Sequence, residues 1–297
     1  MNTSEPSITT TSVVKDFKEI TKMGLSISVV FSSLAGYALG AETISVITLF
    51  LLAIGGYFMV GASNAYNQII ERDLDALMDR TKNRPIPAGR MSVNTAFIIA
   101  TSFTVLGLIT LYIINPKTAM YGAISIFLYT SVYTPLKTKT PLSVFVGALP
   151  GAIPFMLGWV AARNEFGIEP GTLFAIQFFW QFPHFWAIGW FLHEDYKKAG
   201  FFMLPTGQPD KKTARQIILY TVCTIIVSVL PVFGFTGDLR LSIVGAIVVF
   251  GLGILMLHYA IRLYKLRTIK AAKQLMLSSV FYITMLQIIY VVDKILR

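Results

Sequence analysis

The chain has 297 residues, 55% of them hydrophobic and only 13% charged, which excludes an ordinary water-soluble domain with its roughly 25% of charged residues. The formal charge of +10 would suggest nucleic acid, but its distribution follows membrane topology, as set out below, and nucleic acid is excluded as a partner. One cysteine and three histidines exclude an intrachain disulfide and a common Cys/His zinc site.

Residues 1–14 are polar and rich in Ser and Thr, so they read as a disordered tail ahead of a single intramembrane domain, 15–297. The tail has no short apolar region with a small-residue cleavage site, and the first arginine is Arg72, so neither a signal peptide nor an Arg-rich transit peptide is expected. Nine apolar blocks follow, at about 24–40, 45–66, 93–114, 118–134, 142–162, 172–192, 215–235, 241–263 and 275–292. Each is long enough to cross hydrocarbon as a helix. Continuous apolar runs differ from the alternating strands of a barrel, so the expected class is all-α, a polytopic bundle of nine transmembrane helices around a central cavity. The fourth block closes around Tyr133 and Thr134, because Pro135 disfavours helix in the residue before it. Cys223 lies mid-span and reads as a packing residue.

With the N-terminus cytoplasmic, only Lys117, Arg163, Arg240, Lys294 and Arg297 fall outside, leaving 20 of the 25 Lys and Arg on the inner side. That bias alternates loop by loop, as the positive-inside rule requires, and puts the C-terminus outside. A bacterial inner membrane is the expected location.

Immediately after the second block, Asn67, Glu71 and Asp75 recur every four residues. On a helix this spacing drifts by about 40° per step, so the three share one face. Stacked acids repel unless a cation lies between them, and hard divalent metals take such oxygen ligands. Arg72, Arg80, Lys82 and Arg84 follow directly, donors of the kind that grip phosphate. Together these groups suggest a metal-bound diphosphate at a membrane surface.

A second polar concentration runs from Gln177 to Gly200. Gln177, Gln181, His184 and Asp195 fall within a narrow arc of a straight helix, unless Pro183 kinks it. Two readings stay open for the two glutamines and His184: hydrogen bonds between helices, or the lining of a cavity. For His193, Glu194, Asp195, Lys197 and Lys198 the plain alternative is a solvated loop. Tyr133, Lys137 and Lys139 supply a phenol and two amines at the same surface, or serve only as belt residue and topology signals. Phe178, Phe179, Phe182 and Phe185 either offer ring faces to a cation or face lipid.

The run Asn67-x-x-x-Glu71-x-x-x-Asp75, continued by Asp79-Arg80-Thr81-x-Asn83-Arg84-Pro85, resembles the first aspartate-rich motif of the intramembrane prenyltransferases related to 4-hydroxybenzoate polyprenyltransferase. Glu71 where most relatives have Asp, the segment Gly147–Pro154 through Gly158-Trp159, and Pro183-His184-Phe185-Trp186 before Glu194-Asp195-Tyr196 are similar to the branch that farnesylates protoheme IX. So are Ser278, Tyr282 and Asp293 of the last span. The resemblance covers about residues 20–293 and implies nine helices around a cavity. It also implies a magnesium cofactor, farnesyl diphosphate as donor, heme b as acceptor, heme O as product, and a heme-pathway membrane enzyme as a partner.

By that resemblance Asn67, Glu71, Asp75 and Asp195 are the catalytic and magnesium-binding residues. Arg72, Arg80, Lys82, Arg84, Lys137 and Tyr133 bind diphosphate, and His184 binds heme. One departure matters. The wider superfamily offers several carboxylates at four-residue spacing in its second motif, whereas Glu194 and Asp195 here are adjacent and point about 100° apart. The cautious assignment is one metal at Asn67, Glu71 and Asp75, with a weaker second site at Asp195. An aromatic or quinone precursor is the rival acceptor, and a membrane transporter the rival class.

Overall fold

A computed structural model describes residues 10–297. Among them there is no strand, and the helices are α1 (Thr10–Ile20), α2 (Met23–Gly40), α3 (Val46–Ile70), α4 (Arg72–Asp75), α5 (Val93–Ile114), α6 (Pro116–Phe127), α7 (Thr134–Leu136), α8 (Ser143–Arg163), α9 (Ile168–Phe191), α10 (His193–Lys198), α11 (Lys211–Val229), α12 (Ile243–Leu266) and α13 (Ile269–Leu296). A π-helical turn, Leu128–Tyr133, joins α6 to α7. Residues 1–9 of the expected tail lie outside the described residues, and α1 begins at Thr10. Phe17 and Ile20 of α1 turn inward, Phe17 onto the ring of Phe103 and Ile20 fully buried.

Among the described residues, seven helices are long and apolar enough to cross a membrane: α2, α3, α5, α8, α11 with its 3-10 extension to Phe233, α12 and α13. The two other expected spans are helical but differ. The stretch 116–136 is divided by the π turn, and α9 carries Gln177, Gln181 and His184 together with an internal Pro183. The expected stop at Pro135 is also corrected. The helix widens before it, and Thr134 Oγ1 donates to Tyr129 O at 2.8 Å, so the chain continues through the proline to Leu136.

Local chemistry sets the helix starts. Ser45, Ser92, Asn115, Asp210, Ser242 and Thr268 each accept a hydrogen bond from a backbone N–H in the first turn that follows. Large apolar side chains such as Val46, Ile47, Ile243 and Phe235 stand exposed, as a lipid-facing surface requires. Inside, α2 and α8 meet at glycine: a Cβ on Gly36 would lie 2.0 Å from Phe155 O, and one on Gly158 1.9 Å from Ser33 O. Close backbone approach of this kind replaces the hydrophobic drive that lipid cannot supply. The up-and-down order brings the C-terminal ends of α3, α7 and α9 to one face of the bundle, and the polar groups gather there.

Candidate active site

Helix α3 stops at Ile70, and Glu71 adopts φ −95°, ψ 9° before α4 resumes. The ladder nevertheless survives, because Glu71 N donates to Asn67 O at 2.9 Å and Asp75 N to Glu71 O at 2.7 Å. Asn67, Glu71 and Asp75 are all buried, at 2%, 3% and 0% exposure, so the charges of the two carboxylates cannot be answered by water. Lysine and arginine answer them instead. Lys137 Nζ lies 2.8 Å from Glu71 Oε1, and Arg84 Nη1 lies 2.6 Å from Asp75 Oδ2. Lys137 is itself 7% exposed and sits over the rings of Tyr133, at 4.7 Å, and Phe201, at 5.5 Å. Asn67 Nδ2 donates to Thr134 Oγ1 at 3.3 Å.

Tyr133 reaches this cluster because Gly147 makes room: a Cβ there would lie 2.6 Å from the tyrosine ring. This gives the Gly147–Pro154 segment a physical purpose. Lys22, counted in the sequence only as a topology cation, lies within electrostatic reach of the buried ion pairs. It sits between α1 and α2 in the left-handed region, at φ 44°, and burial first, then the charges of Arg84 and Lys137, push its ammonium down to about 7. Nothing in the sequence set it apart from the other inner-side lysines.

The other predicted phosphate donors stand nearer water. Arg80 lies over the Tyr196 ring at 5.8 Å, Lys82 bonds to Asp79 at 2.7 Å, and Arg72 turns to Asp73 at 3.4 Å rather than toward the buried pairs. Arg90 ties the end of this loop to α1 through Asp16, at 2.9 Å, and Glu19, at 3.1 Å.

Asp195, the expected weaker second metal position, is engaged by the backbone of the basic loop. Its two oxygens accept the backbone N–H groups of Asp79, at 2.8 Å, and Arg80, at 3.2 Å, so it secures the basic loop. Against burial, which works to raise it, those two N–H groups and then Lys198 hold the Asp195 carboxyl below the usual range. Lys198 also bonds Asp79, and together with Lys82 holds the Asp79 carboxyl down to about 2. Among the described residues, no three His, Cys, Asp or Glu side chains are grouped to hold a metal ion. The Asn67–Glu71–Asp75 set still fits magnesium, which binds through one or two carboxylates and keeps waters and phosphate oxygens. Asp75 Oδ1 is buried without a hydrogen-bond partner, as a ligand oxygen awaiting a cation would be.

The shared arc of Gln177, Gln181, His184 and Asp195 is also corrected. Leu192, at φ −103°, ψ 12°, separates α10 from α9, and the side chains go to different neighbours. Gln181 Nε2 donates to Ala148 O of α8 at 2.8 Å. His184 Nδ1 meets Ser279 Oγ of α13 at 2.9 Å and stacks on Trp180 with ring centroids 4.8 Å apart. Phe178 and Phe182 pack with each other and with Phe145, Phe174 and Tyr220.

The description "UbiA prenyltransferase family" matches residues 29–286. A protoheme IX farnesyltransferase of Christiangramia forsetii is 74% identical over 286 residues, covering 96% of this chain and 95% of that one. One from Flavobacterium johnsoniae is 65% identical over 300 residues, covering 100% of both. Among solved structures, a digeranylgeranylglyceryl phosphate synthase superposes with a TM-score of 0.77 at 19% identity, covering 94% of this chain and 98% of that one. A UbiA homolog from Archaeoglobus fulgidus bound to GPP and Mg2+ gives 0.71 at 17% identity, covering 93% and 99%. At such identity these two show the shared fold alone. A family match over most of the chain and relatives this similar along their whole length show that the chain belongs to the UbiA prenyltransferase family and, within it, to the protoheme IX farnesyltransferases.

Proposed function

We propose that the chain transfers the farnesyl group of farnesyl diphosphate to a vinyl group of heme b (protoheme IX), with addition of water, giving heme O and diphosphate. Whole-length similarity to proteins of that name supports the acceptor. The observation that carries the chemistry is the pair of buried ion pairs, Glu71–Lys137 and Asp75–Arg84, beside one unpartnered carboxylate oxygen.

Asn67, Glu71 and Asp75 would hold magnesium, which when bound supplies Lewis-acid stabilisation of charge on the diphosphate. Lys137, Arg84 and Lys22, with Arg80 and Lys82 from the loop, neutralise the diphosphate as its bond to the allylic carbon breaks and the electron pair leaves with oxygen. Tyr133 fixes the Lys137 ammonium through its ring. The vinyl group then forms the carbon–carbon bond, and water captures the resulting cation and releases a proton. Asp195 holds the Asp79–Arg80 turn in place. His184, oriented through Nδ1 by Ser279, presents Nε2 to the heme, either to the iron or to a propionate.

The proposed topology is nine spans in a bacterial inner membrane, with the N-terminus cytoplasmic and the C-terminus outside. A membrane enzyme that consumes heme O is the partner this reaction implies. In a Cys223→Ser background, a cysteine at Asn164 should react with an impermeant thiol reagent from outside, and one at Asn83 only after the membrane is opened. Purified protein given heme b, farnesyl diphosphate and magnesium should yield a product with the mass of heme O. Prenylation of an aromatic acid but not of heme b would assign the chain a different acceptor.

A further inference from the structure

The cations at the active end of the bundle fall into two groups. Arg84, Lys137, Arg90, Lys82 and Lys198 each pair with a carboxylate of the chain. At the seam where the start of α11 meets the end of α12, Lys211, Lys212 and Arg215 behave differently. All three are exposed, and among the described residues none of them forms an ion pair. Two of them converge on one side chain of α12. Lys211 Nζ lies 5.4 Å from the centre of the Tyr264 ring, and Arg215, one turn along the same face of α11, reaches the Tyr264 hydroxyl.

Helix formation does not account for this placement. Lys211 and Lys212 stand in the first turn of α11, which holds no acid, and there the aligned peptide dipoles present partial positive charge. Asp210, just ahead of them, is engaged as the helix cap, its Oδ1 accepting from Thr213 N at 2.7 Å. Three cations and a helix start therefore share one seam with no free counter-charge, an arrangement that an anion from outside the chain would stabilise.

The walls of the seam identify the kind of anion. One turn deeper than Arg215 on α11, Leu219 is exposed, and Ile226 stands exposed two turns beyond it. On α12, which runs the other way, Ile261 and Ile254 are exposed at increasing depth from Tyr264. Cations that give way to exposed apolar side chains along the same two helices match a molecule with an anionic head and hydrocarbon tails. A soluble anion, or an acidic protein segment, would use the cations and leave those walls uncovered.

We infer that the α11–α12 seam is a binding site for an anionic phospholipid. Lys211 and Arg215 hold the headgroup phosphate beside the Tyr264 hydroxyl, and the acyl chains lie against Leu219 and Ile261.

The test follows the thermal unfolding midpoint of the purified full-length protein in neutral detergent while phosphatidylglycerol is titrated into the micelles. The midpoint should rise and saturate with phosphatidylglycerol, and should stay unchanged with phosphatidylcholine or with inorganic phosphate. Lys211→Gln/Arg215→Gln should weaken the apparent affinity by about tenfold or more, as loss of two cations at a membrane surface implies. Lys15→Gln/Lys18→Gln removes the same charge from α1 and should leave that affinity unchanged. In detergent alone Lys211→Gln/Arg215→Gln should unfold no earlier than the unaltered protein, because the two cations it removes lack a partner in the chain. An earlier unfolding there would show that the fold itself answers these cations, and would overturn the site. Equal weakening by both double variants would reduce the effect to general surface charge, and an equal rise with inorganic phosphate would make the ligand a soluble anion. Either result would also overturn the phospholipid site.

Discussion

The end of the bundle near Asn67–Arg84 keeps its charges in buried pairs, Glu71 with Lys137 and Asp75 with Arg84, whereas α9 commits its polar groups to neighbouring helices, Gln181 to α8 and His184 to α13. Burial is shared, but the consequences differ. A neutral amide or imidazole buried in the bundle is satisfied by one hydrogen bond and then serves as an orienting strut. A buried carboxylate needs a cation, and each of these pairs can exchange part of its attraction for that of a metal and a diphosphate. The first region is built to respond to a charged ligand, and the second to hold a planar one in position.

The sharpest way to break that contrast is at Asp75. Asp75→Asn keeps the shape but removes the charge, so turnover should fall by about a hundredfold or more while the protein still inserts. Near-normal turnover at saturating magnesium would remove Asp75 from the metal set. Lys137→Met should come next. It leaves Glu71 as an uncompensated buried charge, which costs on the order of 3–5 kcal/mol of stability, read as a lowered unfolding midpoint in detergent. Restoration of the midpoint by the double variant Glu71→Gln/Lys137→Met would confirm that the loss comes from the stranded carboxylate.

On the α9 side, His184→Gln should weaken heme binding or product formation by about tenfold and leave farnesyl diphosphate affinity unchanged, about 1.4 kcal/mol for a single lost contact. Unaltered heme affinity and turnover would return His184 to a purely interhelical role.

The smallest effect concerns the loop tie of Asp79, Lys198 and Asp195. The Asp79 carboxyl is held down to about 2 by Lys198 and Lys82, from an ordinary value of 3.8. A depressed carboxyl pKa contributes order to the folded loop above the ordinary value and loses it as pH falls toward the folded one. Hydrogen exchange of amides 79–84 should therefore quicken between about pH 4 and pH 2. In Asp79→Asn it should be fast already at neutral pH, with no further step in that window. Asp79 is largely exposed, so the change should be local and leave the bundle intact.

Much of the active end was legible because its grouping is local. Asn67, Glu71 and Asp75 follow one another along a single backbone, and their hydrogen bonds carry the four-residue spacing across the break at Glu71. The α9 arc was not legible, since a projection on a straight helix cannot anticipate the break at Leu192 or the neighbours that α8 and α13 supply. Asp195 shows the same limit. Its position near the basic loop followed from the order of the spans, but its backbone partners at Asp79 and Arg80 lie more than a hundred residues away in sequence.

By itself, the sequence determined the helical class, the apolar helices and the acid ladder with its cationic neighbours. Each of these depends on composition, on blocks of apolar residues or on a spacing of four, all properties of a continuous stretch of chain. Tertiary structure alone decided that Lys137 answers Glu71, that Arg84 answers Asp75, and that Asp195 secures a loop. Those outcomes depend on which helices come within a few ångströms of each other. That is set by glycine contacts such as Gly36–Phe155 and Gly147–Tyr133, whose partners no local pattern names.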